Sequence, residues 1–247
     1  MTGYAALAPV YDRFTGNVDY GALADRIDAV FKENTVDGIV LDAGCGTGTL
    51  TFLLSARGYD MIGVDASQEM LSQASRKNAD GAVTLLCQPL EQLDLYGTVR
   101  GVVCTLDTLN HVPGERALDE IFRRFSLFTE SGGLLIFDAN TPYKHEYVLA
   151  DNSFVYEDGG CLCVWRNEYQ KQKKRVLLTA DVFCEQPDGS YRRRTDSFYE
   201  YDRTPALFAR LLEKHGYSLL SMLDSDTLLP VGDTTQRIFV TAKKIPD

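Results

Sequence analysis

The sequence predicts an α/β protein in which an antiparallel insertion interrupts a mainly parallel sheet. Over the first 140 residues, short apolar runs alternate with stretches of helical periodicity. These runs are almost continuously apolar, as in parallel strands that helices cover on both faces. From 141 to 201, apolar and polar residues alternate, which is typical of antiparallel strands. The α/β pattern then resumes, so we predict a core of residues 1–140 and 202–247 and an insertion of 141–201.

The positions of the individual helices and strands are predicted from the spacing of apolar residues and from turn residues. Helices are predicted over 20–33, 49–57, 67–77, 114–128 and 205–215, with Ser67 as a helix N-cap and Gly132-Gly133 ending the fourth helix. Core strands are predicted over 39–43, 59–64, 82–87, 99–105, 133–138, 217–224 and 236–243. Insertion strands are predicted over 153–157, 161–169, 175–185 and 191–200, with a turn at Pro187-Asp188-Gly189-Ser190. We expect the insertion to pack on the main sheet.

Composition limits the classes of function. The 247 residues carry a net charge of −10, which opposes nonspecific binding to nucleic acid and to anionic membranes. No apolar run approaches membrane-spanning length, and Met1-Thr2-Gly3-Tyr4 lacks the start of a signal peptide, so we expect a cytoplasmic protein. The six cysteines are expected to be reduced thiols. Cys161-Leu-Cys163 lacks a second ligand pair, and no metal site is predicted.

A glycine-rich loop after the first core strand indicates a ligand site. The loop reads Asp42-Ala-Gly44-Cys45-Gly46-Thr-Gly48, and the next strand ends in Asp65. Dinucleotide sites use a different glycine spacing, and a carboxylate within such a loop would repel phosphates. Asp42 instead suits a ligand with a cationic amino-acid end, while Asp65 can accept hydrogen bonds from ribose hydroxyls. The alternative is a tight turn that binds no ligand. The presence of Asp65 in addition to Asp42 disfavours that alternative.

These two segments resemble motifs I and II of the class I S-adenosylmethionine-dependent methyltransferases. The resemblance implies a Rossmann-like seven-stranded sheet, with the seventh strand antiparallel between the fifth and sixth. It implies S-adenosylmethionine as the cofactor. The implied cofactor contacts are Gly44, the Cys45 backbone and Gly46 at the methionine part, Asp42 near the ammonium group, Asp65 at the ribose, and Ala66 and Met70 at the adenine.

The segment after the third strand departs from the family pattern. Many relatives carry a polar or acidic side chain there that reaches the adenine amino group, whereas this chain reads Cys87-Gln88-Pro89-Leu90. Proline supplies neither a side-chain acceptor nor an N–H group. Gln88, or the backbone near Leu90, is therefore the candidate for adenine recognition.

The fourth strand leads into a segment that resembles motif IV of small-molecule methyltransferases. It reads Leu106-Asp107-Thr108-Leu109-Asn110-His111. Because carboxyl ends of parallel strands line the ligand crevice, we assign Leu106 and Asp107 to the cofactor and Asn110 to the substrate. His111 is the candidate general base. A loop-capping role for Asp107 and a non-catalytic role for His111 stay open.

The N-terminal stretch and the insertion supply the remaining candidates. Residues 4–12 resemble the family lid "Y-x-x-x-A-x-x-Y-D", which implies Tyr11 at the cofactor and Tyr4 and Tyr20 near the substrate; ordinary packing is the alternative. Trp165 belongs to an aromatic insertion that we expect to cap the substrate. The predicted reaction is methyl transfer to a small-molecule N or O acceptor. An RNA (tRNA or rRNA) methyltransferase and a non-catalytic S-adenosylmethionine-binding protein are the alternatives, and the oligomeric state is open between monomer and dimer.

Overall fold

The computed structural model describes residues 4–246 and contains two sheets. Residues 1–3, on which the expectation of a cytoplasmic protein partly rests, lie outside the described residues. The main sheet has seven strands in the order β10-β11-β5-β4-β1-β2-β3. Its strands are β1 (Ile39–Ala43), β2 (Asp60–Asp65), β3 (Thr84–Cys87), β4 (Val99–Cys104), β5 (Thr129–Asn140), β10 (Tyr217–Asp224) and β11 (Arg237–Lys244).

The direction of the strands confirms the predicted fold class. Strands β1 to β5 are mutually parallel, whereas β11 is antiparallel to both β5 and β10. The seventh core strand thus lies between the fifth and sixth, as the family resemblance implies. The helices are α1 (Tyr11–Phe14), α2 (Tyr20–Glu33), α3 (Thr49–Ser55), α4 (Gln68–Lys77), α5 (Gly114–Phe128) and α6 (Pro205–Lys214). Among residues 4–246, no helix is both long and apolar enough to cross a membrane.

The insertion forms its own antiparallel sheet, in the order β6-β7-β8-β9. The strands are β6 (Ser153–Asp158), β7 (Cys161–Gln170), β8 (Arg175–Glu185) and β9 (Tyr191–Tyr201). The expected packing of this sheet on the main sheet is wrong. Leu7 and Val10 of the N-terminal segment pack against its apolar face, in one cluster with Cys163, Leu178 and Phe198. The N-terminal segment therefore completes the core of the insertion.

The predicted end of the fourth helix also needs correction. Helix α5 ends at Phe128, and Gly132-Gly133 lie inside strand β5, where the pairing with β4 shifts register between Val99 and Gly101. The glycines mark an irregularity in a strand and do not end the helix.

The prediction of reduced thiols is wrong for two of the cysteines. Cys161 and Cys184 are directly opposite each other on β7 and β8 and form a disulfide. Cys45, Cys104 and Cys163 are buried free thiols, while Cys87 is exposed. The spacing of the cysteines along the chain did not reveal the pair, because only the strand register brings them together.

The register shift at Gly133 leads to a stability prediction. A Cβ atom there would lie 2.8 Å from Thr129 Cγ2 and 2.9 Å from the Arg100 carbonyl oxygen. We expect Gly133→Ala to reduce the free energy of unfolding by about 1–3 kcal/mol, because backbone atoms cannot move aside easily. Gly97→Ala is the control, since no atom lies within 4 Å of the position that its Cβ would take. Urea unfolding measures both, and equal stability of the two variants would contradict this explanation.

Candidate active site

A cavity lies at the carboxyl edge of the main sheet, where β1, β2 and β4 end. It brings together most of the residues selected from the sequence. These are Tyr4, Tyr11, Tyr20, Asp42, Gly44, Cys45, Gly46, Asp65, Ala66, Met70, Leu90, Leu106 and His111. The alternation of strand and helix is what places them together, because each loop leaves the sheet on the same side.

The glycine loop depends on residues that lack a Cβ atom. Gly44 and Gly46 have φ angles of 84° and 54°, in the left-handed region. A Cβ on Gly44 would overlap the side chain of Thr108. At Gly46, by contrast, no atom lies within 4 Å of the Cβ position. The loop backbone at Gly46 is therefore open to a ligand.

Asp65 connects the end of β2 to the glycine loop. Its Oδ2 accepts a hydrogen bond from Gly46 N at 2.9 Å, and its Oδ1 accepts one from Ser67 N at 2.8 Å. Burial raises the pKa of this carboxyl, and the backbone N–H groups oppose that rise. A carboxylate has about four acceptor sites, so two remain for ribose hydroxyls. Ser67 caps helix α4 as predicted, with Oγ accepting from Met70 N at 3.2 Å.

Asp42 is a buried carboxylate with one close partner. Its Oδ2 accepts a hydrogen bond from the Thr51 hydroxyl at 2.6 Å. Burial raises the pKa of Asp42 to about 7, against the effect of the Thr51 hydrogen bond. A cationic group in the cavity would stabilise the ionised form.

The loop after β4 has a strained backbone held by a buried acid. Leu106 and Asp107 have φ angles of 55° and 57°, which are uncommon for residues with side chains. The Asp138 carboxylate accepts hydrogen bonds from both of their N–H groups, each at 2.8 Å. Arg237 pairs with Asp107 at 2.5 Å and with Asp138 at 3.3 Å. This network fixes where Asp107 lies.

His111 lies between the N-terminal segment and the insertion. Its Nδ1 is 3.1 Å from the Tyr199 carbonyl oxygen, which can only accept, so Nδ1 carries the hydrogen. In the neutral ring, Nε2 then accepts from the Tyr4 hydroxyl at 3.2 Å. The nitrogen that could take up a substrate proton is thus the one that faces Tyr4.

A second cavity adjoins the first. The two have volumes of about 210 and 180 Å³ and share Tyr4, Tyr11, Leu106, His111 and Phe198. Trp165 and Asp107 line the second cavity, so the structure places Asp107 away from the cofactor side to which the sequence assigned it. Two further residues of this cavity, Glu200 and Arg237, carry no recognisable sequence signal.

Two predicted contacts are not supported by the geometry. The side-chain amide of Gln88 is occupied by the Asp94 backbone, with hydrogen bonds of 3.2 and 2.9 Å. Asn110 is fully buried: its Nδ2 donates to the carbonyl oxygens of Asn140 and Tyr201, and its Oδ1 accepts from Asn140 N. Neither side chain lines either cavity. Asn110 joins the loop to β5 and to the end of β9.

The N-terminal segment lies over the cavity, as expected for a lid. Asp12 accepts hydrogen bonds from Thr47 at 2.6 Å and Thr49 at 3.2 Å, and it pairs with Lys77. The ring of Tyr4 stacks on Phe198 with centroids 4.7 Å apart. The segment thus contacts the glycine loop on one side and the insertion on the other.

Three potential metal ligands also meet at the border of the cavities. Donor atoms of Asp107, His111 and Glu200 lie within 4.8 Å of one another. Arg237 already pairs with Asp107, and both nitrogens of His111 have hydrogen-bond partners. The cluster therefore consists of groups that are engaged with the protein itself.

Comparisons with known proteins bear on the family of this chain. Residues 40–133 match a family model described as a methyltransferase domain. A Geobacillus sp. (strain WCH70) protein with a methyltransferase name is 27% identical, with 98% of this chain and 99% of that protein aligned. The crystal structure of a S-adenosylmethionine-dependent methyltransferase from Clostridium acetobutylicum ATCC 824 has a TM-score of 0.87 and 28% identity, covering 98% of this chain and 99% of that one. The chain is a class I S-adenosylmethionine-dependent methyltransferase.

One more solved structure bears on the fold. The sugar N-methyltransferase KedS8 from Streptoalloteichus sp. ATCC 53650 is 21% identical, with a TM-score of 0.79 and coverage of 97% of this chain and 94% of that one. This likeness extends the shared fold through the antiparallel insertion.

The residues of the first cavity fit S-adenosylmethionine. Asp42 is a carboxylate for the ammonium group, Asp65 has free acceptor sites for the ribose, and the backbone at Gly46 is open to a ligand. Gln88 and the backbone near Leu90 were the two candidates for recognising the adenine. Leu90 lines the cavity, whereas the side chain of Gln88 is occupied by the Asp94 backbone.

Two substitutions test the assignment of the cofactor loop. Asp65→Ala removes an acceptor that also fixes Gly46, and we expect roughly 2–3 kcal/mol weaker binding of S-adenosylhomocysteine. Gly46→Ala should weaken binding as well, because alanine disfavours the left-handed backbone. Calorimetry measures both affinities, with Asp60→Ala at the exposed opposite end of β2 as the control. Parental affinity in both loop variants would show that the loop is only a structural turn.

The pKa of Asp42 predicts a pH dependence of cofactor binding. A bound ammonium group favours the ionised carboxylate, so binding below pH 7 should release a proton. Affinity for S-adenosylhomocysteine should therefore rise from pH 5 to about pH 7 and then level off. Calorimetry in buffers of different ionisation enthalpy detects the released proton. Asp42→Asn should bind more weakly and lose this dependence, and a pH-independent parent would refute the assignment.

Proposed function

We propose that this methyltransferase transfers the methyl group of S-adenosylmethionine to a small-molecule amine held in the second cavity. The observation that carries the proposal is the contact between the two cavities. They share Tyr4, Tyr11, Leu106, His111 and Phe198, so an acceptor in the second cavity would lie next to the methyl donor in the first.

The lining of the second cavity favours an amine. Tyr156, Trp165 and Phe198 are among its aromatic walls, and aromatic faces attract cations. Burial opposes the charge of Glu200, but the hydrogen bonds from His145 and Asn140 help to lower the pKa of Glu200 to about 2. Both hydrogen bonds to this carboxylate fall on Oε2, which leaves Oε1 for a ligand. An ammonium ion would find a fixed anion there.

The methyl transfer requires little acid–base catalysis by the protein. When bound, S-adenosylmethionine supplies an electrophilic methyl group on a positively charged sulfur. The amine must lose a proton before its lone pair can form the new C–N bond as the C–S bond breaks. The aromatic lid and insertion hold the acceptor in line and exclude water, which lowers the entropic cost of the transfer. The proton leaves to solvent before the acceptor is enclosed, or to His111 Nε2.

A hydroxyl acceptor is the second candidate, and the geometry of His111 favours it. Nε2 already accepts a hydrogen bond from the Tyr4 hydroxyl at 3.2 Å. A substrate hydroxyl in the same position would have a base for the proton that it must lose. The amine and hydroxyl acceptors differ in how strongly the rate of methyl transfer depends on His111.

Other evidence is consistent with a small acceptor. KedS8 is described as a sugar N-methyltransferase, and at its low identity only the fold is shared. A net charge of −10 gives no support to an RNA acceptor.

An acceptor screen tests the proposal. Labelled S-adenosylmethionine is incubated with a cell metabolite extract, and methylated products are identified by mass shift. We expect an amine product, with His111→Gln reducing the maximal rate less than tenfold. A hydroxyl acceptor would instead lose about 10²–10⁴-fold in this variant. Trp165→Ala should raise the half-saturating extract concentration, while Trp165→Phe keeps an aromatic wall. Cofactor binding without any S-adenosylhomocysteine formation would identify a non-catalytic binding protein.

A further inference from the structure

His145 is a buried histidine that the proposed chemistry does not use. It lies in a π-helical segment, Lys144–Leu149, directly after β5, where the chain enters the insertion. Glu200 and Asp202 lie at the opposite boundary, where β9 returns the chain to the core. The side chain of His145 is 0% exposed, and it contacts both acids. It thus joins the two ends of the insertion.

The geometry around His145 determines its charge. Nδ1 is 2.7 Å from Asp202 Oδ1, and Nε2 is 3.0 Å from Glu200 Oε2. The pKa of Glu200 is low, and Asp202 Oδ2 already accepts a hydrogen bond from the Tyr169 hydroxyl at 2.8 Å. A carboxylate oxygen only accepts, so both ring nitrogens must carry hydrogens. The ring is therefore an imidazolium ion.

The surroundings of this ion are consistent with its charge. Burial disfavours the charged ring, but the two carboxylates outweigh burial and raise the pKa of His145 to about 9. On its own segment, Lys144 directs its ammonium group to Asn140 Oδ1 at 2.9 Å. Tyr169 approaches from β7 through Asp202. Two carboxylates thus face one imidazolium, with a second cation nearby.

Glu200 connects this group to the acceptor cavity. Its Oε2 accepts from His145 and from Asn140 Nδ2, at 3.0 and 2.8 Å. The same side chain lines the cavity in which we place the acceptor. If His145 loses the proton on Nε2, Glu200 loses this donor, and Asn140 alone would orient its carboxylate.

We propose that protonated His145 is a positioning residue, which locks the two ends of the insertion together and holds Glu200 as an oriented anion in the acceptor cavity. This inference rests on the proposed function for the role of that cavity. Acceptor binding should consequently weaken as the pH rises through about 9, since the lock exists only in the protonated form.

Kinetics test this role with the metabolite extract as the acceptor probe. His145→Gln should raise the half-saturating extract concentration about tenfold while the maximal rate stays within about twofold and S-adenosylhomocysteine binds as in the parent. The parent should also lose apparent acceptor affinity above pH 9, and the variant should not. His215→Gln is the matched control, because His215 pairs with Asp119 at 2.9 Å, away from both cavities. A folded His145→Gln protein with parental half-saturation and pH profile overturns the proposal.

A second measurement does not need turnover. The chain has three histidines, so ¹⁵N imidazole resonances can be assigned by single substitutions. We expect the His145 ring to stay doubly protonated to about pH 9, and Glu200→Gln to lower its titration midpoint. A neutral His145 ring at pH 7.5 would refute the lock directly. Absence of turnover in the parent would instead refute the proposed function, and the two failures are thereby distinguished.

Discussion

Three carboxylates, each accepting two backbone N–H groups, fix segments that border the cofactor cavity. Asp65 holds the glycine loop and the start of α4, Asp138 holds the loop after β4, and Asp196 holds the N-terminal segment through Ala6 N and Leu7 N. Loops at a sheet edge lack ladder partners for their N–H groups, and an unpaired buried N–H is costly. The carboxylates supply the missing acceptors, so the shape of the cavity depends on them.

The part of the site that sequence could predict is the part built from neighbouring residues. Asp42, Gly44, Gly46 and Asp65 belong to one strand–loop–helix–strand unit, and their spacing alone determines how they meet. Most strands and helices could likewise be located within a few residues, because burial imposes a period on each. The order of the seven strands was predicted from the family resemblance, since periodicity contains no information about which strands pair.

The residues that sequence missed act across long distances in the chain. Asp196 lies 190 residues from Ala6, and Arg237 lies 130 residues from Asp107. Nothing in the local sequence of Glu200 separates it from an ordinary acidic residue of a strand. The errors have a different origin: Gln88 and Asn110 have suitable amides for a ligand, but backbone groups of the protein itself occupy both. The residue type determines which hydrogen bonds a side chain can form. The fold determines which partners it actually contacts.

The two cavities therefore differ in how the chain builds them. The glycine loop and Asp65 on the cofactor side rest on short-range geometry around β1 and β2. The acceptor side combines the strained turn at Leu106 and Asp107 with the N-terminal segment, β9 and β11. A strained non-glycine residue costs of order 1–3 kcal/mol, and here Asp138 and Arg237 oppose that cost with hydrogen bonds and charge. Burial raises the pKa of Asp138, and Arg237 opposes that rise. Because the turn depends on that ion pair, the position of His111 four residues further on depends on a strand at the other end of the chain. The geometry of the acceptor cavity thus depends on Arg237 of β11 as well as on the segments closer to the cofactor.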